Sequence, residues 1–391
     1  MTKKGTWYVL PKELVAAIVL HHHHDALDNL RTRLACKRWY KDVTPPVHLP
    51  LQPPLLMLPS TIYTGPYFNL AALTVRQLPT LETTYHAHCF GSSRGWLFLL
   101  DLSPTVSLFN PITRAEIRLP NLDTIPSQFL STQRTAQTAF LIQSTIDVGR
   151  KEVVKLAVLS SDPIHDPNFV AFISLAHFNE QFFYCRRRTR SWTPLRNPFL
   201  DFVCRDVNHQ SQDRLLYAIS SDNRRMIVFD FHLSPVVKAY SLAGVPESDL
   251  TYLVGTPAGD MLIVTRDLAG SFPPDAAFFN VYRLELERNN PQASAKRVQG
   301  IGDYALFVGV GQSLCIDVRE FPEFHGNHIY YIFEYEKEVN GKKVKSENVA
   351  RYSLTTECPA KVYGLDKLPL KDYSRDVRQC WWVSPNLAQM M

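Results

Sequence analysis

The chain has 391 residues, of which 45% are hydrophobic and 20% charged, and this balance excludes a wholly disordered protein. Its net charge of +5 is too small to indicate nucleic-acid binding by itself. Seven widely spaced cysteines without a CxxC pair argue against a disulfide framework and predict reduced thiols in an intracellular protein, nuclear or cytoplasmic. No apolar run approaches the ~18 residues of a membrane span, and Pro11-Lys12-Glu13 interrupts any signal peptide.

The first forty-odd residues predict a compact helical module. Pro11 suits the first turn of a helix, because its missing N–H would have no partner there in any case. Leu14 and Ile18 then recur one turn apart and form an apolar stripe. A second helical segment runs from Asp25, a candidate N-cap, to Leu34, and a third part follows it. Because so short a module cannot bury all its apolar groups against itself, part of this surface is expected to face a partner.

Residues 7–45 resemble an F-box. The resemblance is carried by Leu10-Pro11-x-Glu13-Leu14, by Ile18, and by Leu34-Ala35-Cys36-Lys37-x-Trp39. It implies docking on the Skp-type adaptor of a cullin-based ubiquitin ligase and, through that adaptor, association with cullin and RING subunits. The expected adaptor-binding residues are Leu10, Pro11, Leu14, Ile18, Leu34, Cys36, Lys37 and Trp39. Two departures, His21–His24 in place of a second Leu-Pro and Ala35 in place of Val, leave open an F-box relic that no longer binds the adaptor.

Residues 46–60 are rich in proline, and this density predicts a semi-rigid connector or the entry to an edge strand. Short strands separated by turns follow, and residues 61–386 are expected to form one β domain. The clearest predicted strands are Gly95–Asp101, Val106–Pro111, Val153–Leu159, Ala171–Phe178, Phe182–Cys185, Leu215–Ser220, Met226–Phe231, Met261–Thr265, Phe278–Leu286 and Ile329–Tyr335. Asn340-Gly341 predicts a hairpin between Ile329–Lys337 and Val344–Leu354. A sandwich, a barrel and a propeller all fit, and a propeller of about six blades suits the length best, at ~45 residues per blade.

The β domain resembles the plant F-box-associated propeller of the KIB type. The matching segments are Phe90–Leu97, Leu108–Thr113, Ile117-x-Leu119-Pro120, Arg190–Trp192, Arg205–Val207, Asn327–Tyr331 and Trp381–Pro385. The resemblance implies a ubiquitin-ligase substrate receptor that holds an unidentified protein and is not itself an enzyme. The predicted fold class is therefore a three-helix F-box followed by a predominantly β domain, a propeller of about six blades.

Three motifs have residue patterns found in catalytic or metal-binding sites. Gly91-Ser92-Ser93-Arg94-Gly95 satisfies G-x-S-x-G, but a strand rather than a helix is predicted after it, which favours a β turn over a nucleophile elbow. His21–His24 and His86-x-His88-Cys89 have spacings found among metal ligands, yet neither has a second ligand pair nearby. The sequence thus predicts no catalytic residue, metal or cofactor. A propeller enzyme remains the alternative from another class.

The densest basic cluster is Arg186-Arg187-Arg188-x-Arg190, followed by Trp192. An isolated run of this kind is typical of a solvated hairpin, so nucleic acid is not the expected partner. Arginine also suits bidentate contacts to carboxylate or phosphate, so Arg186, Arg187, Arg188 and Arg190 are candidates for substrate binding. A stand-alone scaffold that uses the same arginines is the remaining alternative.

Overall fold

The computed structural model describes residues 10–21, 53–58, 66–77, 88–101, 105–126, 154–175, 181–199, 201–232, 235–268, 277–287, 290–339, 342–364 and 381–384. This part of the chain contains one α-helix, α1 (Lys12–His21), one short 3-10 helix at Leu122–Thr124, and 25 strands. The described helix is too short to cross a membrane.

The strands form five sheets, which we number along the chain. Sheet 1 consists of β1 (Leu55–Met57), β2 (Pro66–Asn69), β3 (Thr74–Gln77) and β25 (Trp381–Val383). Sheet 2 consists of β4 (His88–Ser93), β5 (Trp96–Leu100), β6 (Val106–Phe109) and β7 (Glu116–Arg118). Sheet 3 consists of β8 (Val154–Leu159), β9 (Val170–Leu175), β10 (Gln181–Arg186) and β11 (Thr193–Leu195).

The two remaining sheets are larger. Sheet 4 has eight strands: β12 (Cys204–Gln210), β13 (Leu215–Ser220), β14 (Arg225–Asp230), β15 (Val236–Ala243), β16 (Leu250–Gly255), β17 (Met261–Leu268), β18 (Ala277–Leu286) and β19 (Gln292–Val298). Sheet 5 has five: β20 (Tyr304–Val308), β21 (Leu314–Asp317), β22 (His328–Val339), β23 (Lys342–Ser353) and β24 (Cys358–Gly364).

Apolar clusters between neighbouring sheets hold this propeller-like arrangement together. Trp96 and Phe98 of sheet 2 pack with Ile173 and Phe183 of sheet 3, and comparable clusters join sheets 3 to 4 and 4 to 5. Sheet 1 packs against both sheet 2 and sheet 5, so the series of sheets closes on itself. Because both faces of most strands are covered, the middle strands are nearly continuous apolar runs, as in β9, where every residue is buried.

The expected fold class is wrong in two respects. Only one helix, α1, lies in the described residues, which are otherwise almost entirely β, so the three-helix module is not found there; the predicted segments after His21 lie outside the described residues. The described strands also form five sheets, one of them with eight strands, where about six blades were expected. Sheet 4 is continuous because β15 and β19 pair in parallel, from Ser241 opposite Gln292 to Ala243 opposite Ser294.

Several local predictions are confirmed. β22 and β23 form the hairpin predicted at Asn340-Gly341, with Val339 opposite Lys342. Trp96–Leu100 is strand β5, so Arg94 and Gly95, both with positive φ, form a β turn rather than a nucleophile elbow. Leu55–Met57 differs from the expectation for residues 46–60: it is strand β1 of sheet 1, paired on both sides with β2 and β25 and so not an edge strand.

Candidate functional site

A cavity of about 580 Å³ lies where sheets 2, 3 and 4 meet. The turn between β4 and β5 supplies Arg94, and the end of β10 supplies Arg186. β12 supplies His209, and the turn after it supplies Arg214. Asp166, in the connection between β8 and β9, is its one acidic lining residue. The cavity wall therefore carries three arginines and one carboxylate.

Arg94 is the cavity residue that joins all three sheets. Its Nε donates to the carbonyl oxygen of Leu159 at 3.1 Å, and its Nη2 donates to Ser211 Oγ at 3.1 Å. The same Nη2 lies 2.8 Å from His209 Nδ1. Burial lowers the pKa of Arg94, and the negative charge of Asp162 partly opposes this shift. The guanidinium is thus held by uncharged acceptors.

His209 presents a neutral ring to the cavity. Because a guanidinium can only donate, Nδ1 of His209 must be the acceptor in its contact with Arg94. Burial and, to a smaller extent, the charge of Arg94 lower the pKa of His209 to about 3, although a hydrogen bond to the backbone of Arg214 opposes both effects. At neutral pH this ring therefore adds polarity to the wall and no positive charge.

The structure separates the four arginines that the sequence grouped. Arg186 reaches the cavity, where its Nη2 donates to the carbonyl oxygen of Phe231 at 2.6 Å and its Nη1 to that of Asn168 at 3.3 Å. Arg187, Arg188 and Arg190 are exposed on the connection between β10 and β11, as expected for a solvated hairpin. None of these three lines the cavity.

The carboxylate of Asp166 is already engaged within its own loop. One oxygen accepts from Ser161 Oγ at 2.7 Å and the other from the backbone N–H of Asn168 at 2.8 Å. Arg214 is exposed, with φ +60°, and makes no salt bridge to any described residue. Positive charge therefore exceeds negative charge on the wall, and the donors of Arg214 face solvent.

A polar network behind the cavity fixes the strands that carry it. Ser93 Oγ donates to Gln312 Oε1 at 2.7 Å and accepts from the backbone N–H of Leu159 at 3.0 Å. Gln312 Nε2 donates to Asn208 Oδ1 at 2.9 Å, and Asn208 Nδ2 donates to the carbonyl oxygen of Leu253 at 2.6 Å. These bonds link sheets 2, 3, 4 and 5 through side chains that the pattern of apolar residues did not single out.

The expected adaptor-binding residues lie partly in the described chain. Pro11 precedes α1 and is exposed, Leu10 and Ile18 are half-buried, and Leu14 is 52% exposed. Leu34, Cys36, Lys37 and Trp39 lie outside the described residues. Sequence reasoning did not identify Arg94, His209 or Arg214 as a group, because they are separated in the chain and only the fold brings them together. Among the described residues no three histidine, cysteine or acidic side chains cluster as a metal site.

Comparison with known proteins identifies the family of the β domain. The family model described as the KIB1-4 beta-propeller matches residues 67–353. F-box protein KIB4 of Arabidopsis thaliana is 25% identical over 238 residues, which cover 58% of this chain and 56% of that protein. This chain therefore matches little more than half the length of that relative.

Two solved structures give weaker likenesses. The beta-propeller domain of Cps50 (Swd1) from Myceliophteria thermophila has a TM-score of 0.38 at 10% identity, over 82% of this chain and 90% of that one. TolB from Acinetobacter baumannii has a TM-score of 0.34 at 9% identity, over 87% and 70%. Both scores are low, and neither likeness bears on function. The family match, which spans most of the β domain, confirms the resemblance to KIB-type propellers: the chain belongs to the KIB1-4 beta-propeller family.

Proposed function

We propose that this chain is a substrate receptor of a ubiquitin ligase of the Skp–cullin–F-box type. The observation that carries the proposal is family membership over residues 67–353, together with similarity to a relative named as an F-box protein. The receptor would work in the cytoplasm or the nucleus, bind a Skp-type adaptor with its N-terminal segment, and hold a protein substrate on the propeller. It would catalyse no reaction itself.

The exposed side of α1 supports the proposal that the N-terminal segment binds the adaptor. Leu14 is 52% exposed while the neighbouring Val15 is only 1% exposed, so the helix buries one side within the protein and leaves an apolar side open. A helix with an exposed leucine suits insertion of that side chain into an apolar groove on a partner. A substrate held on the propeller would then meet the ubiquitin-charged enzyme at a high effective concentration.

Co-purification with a Skp-type adaptor tests the proposal. We expect wild type to form the complex and Leu14→Asp to weaken it at least tenfold, since burying a leucine stabilises an interface by about 1.5–3 kcal/mol. Leu73→Asp is the matched control, because Leu73 is 50% exposed on the propeller, distant in sequence from α1. Equal binding by both variants, or a folded wild-type protein that binds no adaptor, would contradict the proposal.

A further inference from the structure

The cavity between sheets 2, 3 and 4 has the charge of an anion site. Arg94, Arg186 and Arg214 line it against the single carboxylate of Asp166, whose two oxygens already accept from Ser161 and Asn168. His209 is neutral and adds no charge. An anion that entered would meet three cations and little opposing charge.

The donors are also held in place before a ligand arrives. The carbonyl oxygens of Leu159 and Phe231 fix the guanidinium groups of Arg94 and Arg186. A preorganised site loses less side-chain entropy when it binds, so its donors contribute more to affinity than mobile surface arginines would. Arg94 is buried, and none of its hydrogen-bond partners is a carboxylate. A bound anion would therefore stabilise its positive charge.

The size of the site favours one kind of anion. A recess of about 580 Å³ is the size of a small-ligand pocket and takes a modified side chain with part of its peptide, whereas a nucleic-acid backbone runs along an extended surface. Phosphate carries a charge of about −1.5 to −2 at neutral pH and three strong acceptor oxygens, which matches several arginines better than a carboxylate does. The hydroxyl groups of Ser160 and Ser211 lie on the same wall.

We propose that this cavity binds the phosphate group of a phosphorylated serine or threonine on the protein that the receptor recruits. The inference rests on the proposed function, since it names the class of substrate that the propeller would select. Recruitment would then depend on a prior phosphorylation of the target. The exposed Arg214 would complete the contact, because Arg94 and Arg186 are anchored to the protein itself.

Isothermal titration of the full chain with N-acetyl-phosphoserine amide tests the inference, with N-acetyl-serine amide at matched ionic strength as the reference ligand. We expect saturable binding of the phosphorylated ligand only, in competition with inorganic phosphate. Arg214→Asn should weaken binding by about tenfold, the usual effect of losing one charge-assisted hydrogen bond. Asparagine tolerates the positive φ of this position, so the variant should fold.

Arg188→Asn is the matched control. Arg188 is also an exposed arginine with positive φ, at +69°, but it lies outside the cavity, so its replacement should leave the affinity unchanged. Equal weakening by both variants would show general charge attraction and overturn the inference, as would no saturable binding by wild type. Adaptor co-purification tests the proposed function separately. A protein that binds the adaptor but not phosphoserine would reject only the cavity assignment. A protein that binds phosphoserine but not the adaptor would reject only the ligase role.

Discussion

Arg94 shows how one residue can set the character of a site. It occupies the left-handed turn of a hairpin, with φ +52°, and from there its side chain reaches Leu159 of sheet 3 and His209 of sheet 4. A non-glycine residue in that conformation is uncommon, and here the following Gly95 completes the turn. The G-x-S-x-G match therefore reflects a β turn whose arginine points across to the neighbouring sheets.

The stability of the protein should depend on pH through His209. Burial and Arg94 keep this ring neutral down to a pKa of about 3, whereas the same ring in the unfolded chain takes up a proton near 6.5. The contribution of His209 is therefore fully present above pH 6.5 and is lost as the pH falls towards 3. The free energy of unfolding of wild type, minus that of His209→Gln, should shrink over this range in urea titrations.

The quantity to measure is the difference in the free energy of unfolding between wild type and His209→Gln, because Asp206 changes stability with pH in the opposite direction. Burial raises the pKa of Asp206 to about 7, so its contribution is present at low pH and declines as the pH rises from about 4 to 7. Both proteins contain Asp206, and its effect cancels in the subtraction. A difference that stayed constant from pH 7 to pH 4 would contradict the assignment of a buried, neutral His209.

At the scale of elements, the ring of sheets is closed by a short strand from the end of the described chain. β25 pairs antiparallel with β1, and this places Trp382 opposite Leu56. Trp382 is 1% exposed, its indole N–H donates to the carbonyl oxygen of Val308 at 3.2 Å, and its ring packs edge-on to Phe307. One side chain thus joins sheet 1 to sheet 5.

Removing the Trp382 side chain should weaken the contact between sheet 1 and sheet 5. We expect Trp382→Ala to lower the free energy of unfolding by about 3–5 kcal/mol, because it deletes a large buried ring and leaves a cavity. Trp382→Phe should cost much less, since it keeps an aromatic ring in the same core and loses chiefly the bond to Val308. Denaturant unfolding measures both variants, and an unchanged midpoint for Trp382→Ala would show that β25 does not close the ring.

The sequence was informative about individual elements where burial follows a simple pattern. Continuous apolar runs such as that of β9 and the Asn340-Gly341 turn predicted strands and a hairpin that the structure contains. β12 was not predicted, because its Asn208, His209 and Gln210 are polar and yet buried, with hydrogen bonds made to residues far away in the chain, at β16 and in the turn that carries Arg94. Alternation of apolar residues cannot reveal a strand whose partners are distant polar groups.

The continuity of sheet 4 could not be predicted for a related reason. Gly244 follows β15 with φ +91°, and a Cβ there would lie 2.2 Å from the carbonyl oxygen of Ala295 in β19. Glycine permits this close approach of two backbones. A lone glycine in the sequence nevertheless predicts a turn and gives no indication of which strand approaches it. Pairing between segments that are far apart in the chain is therefore the part of the fold that the sequence did not show.

At the scale of the whole molecule, buried polar side chains connect the sheets where their inner strands meet. Gln312 lies between β20 and β21, and its amide contacts both Ser93 of sheet 2 and Asn208 of sheet 4. Ser92 donates to the carbonyl oxygen of Trp382 in sheet 1 at 2.9 Å. Since buried polar groups destabilise a fold unless they are paired, this network favours one relative placement of the sheets. The cavity residues Arg94 and His209 directly follow Ser93 and Asn208 in the chain, so the network also positions the site.

A double-mutant cycle between Gln312 and Asn208 tests that role. Each of Gln312→Leu and Asn208→Ala should cost about 1–3 kcal/mol, because each leaves a buried partner unsatisfied. The double variant should cost less than the sum by about 0.5–3 kcal/mol, since the second change removes the group that the first left unpaired. Asn290→Ala, which removes a local bond to the backbone of Gln292, should instead add to Gln312→Leu without coupling. Additivity in the Gln312–Asn208 cycle would mean that each sheet holds its own position and that the cavity is fixed by apolar packing alone.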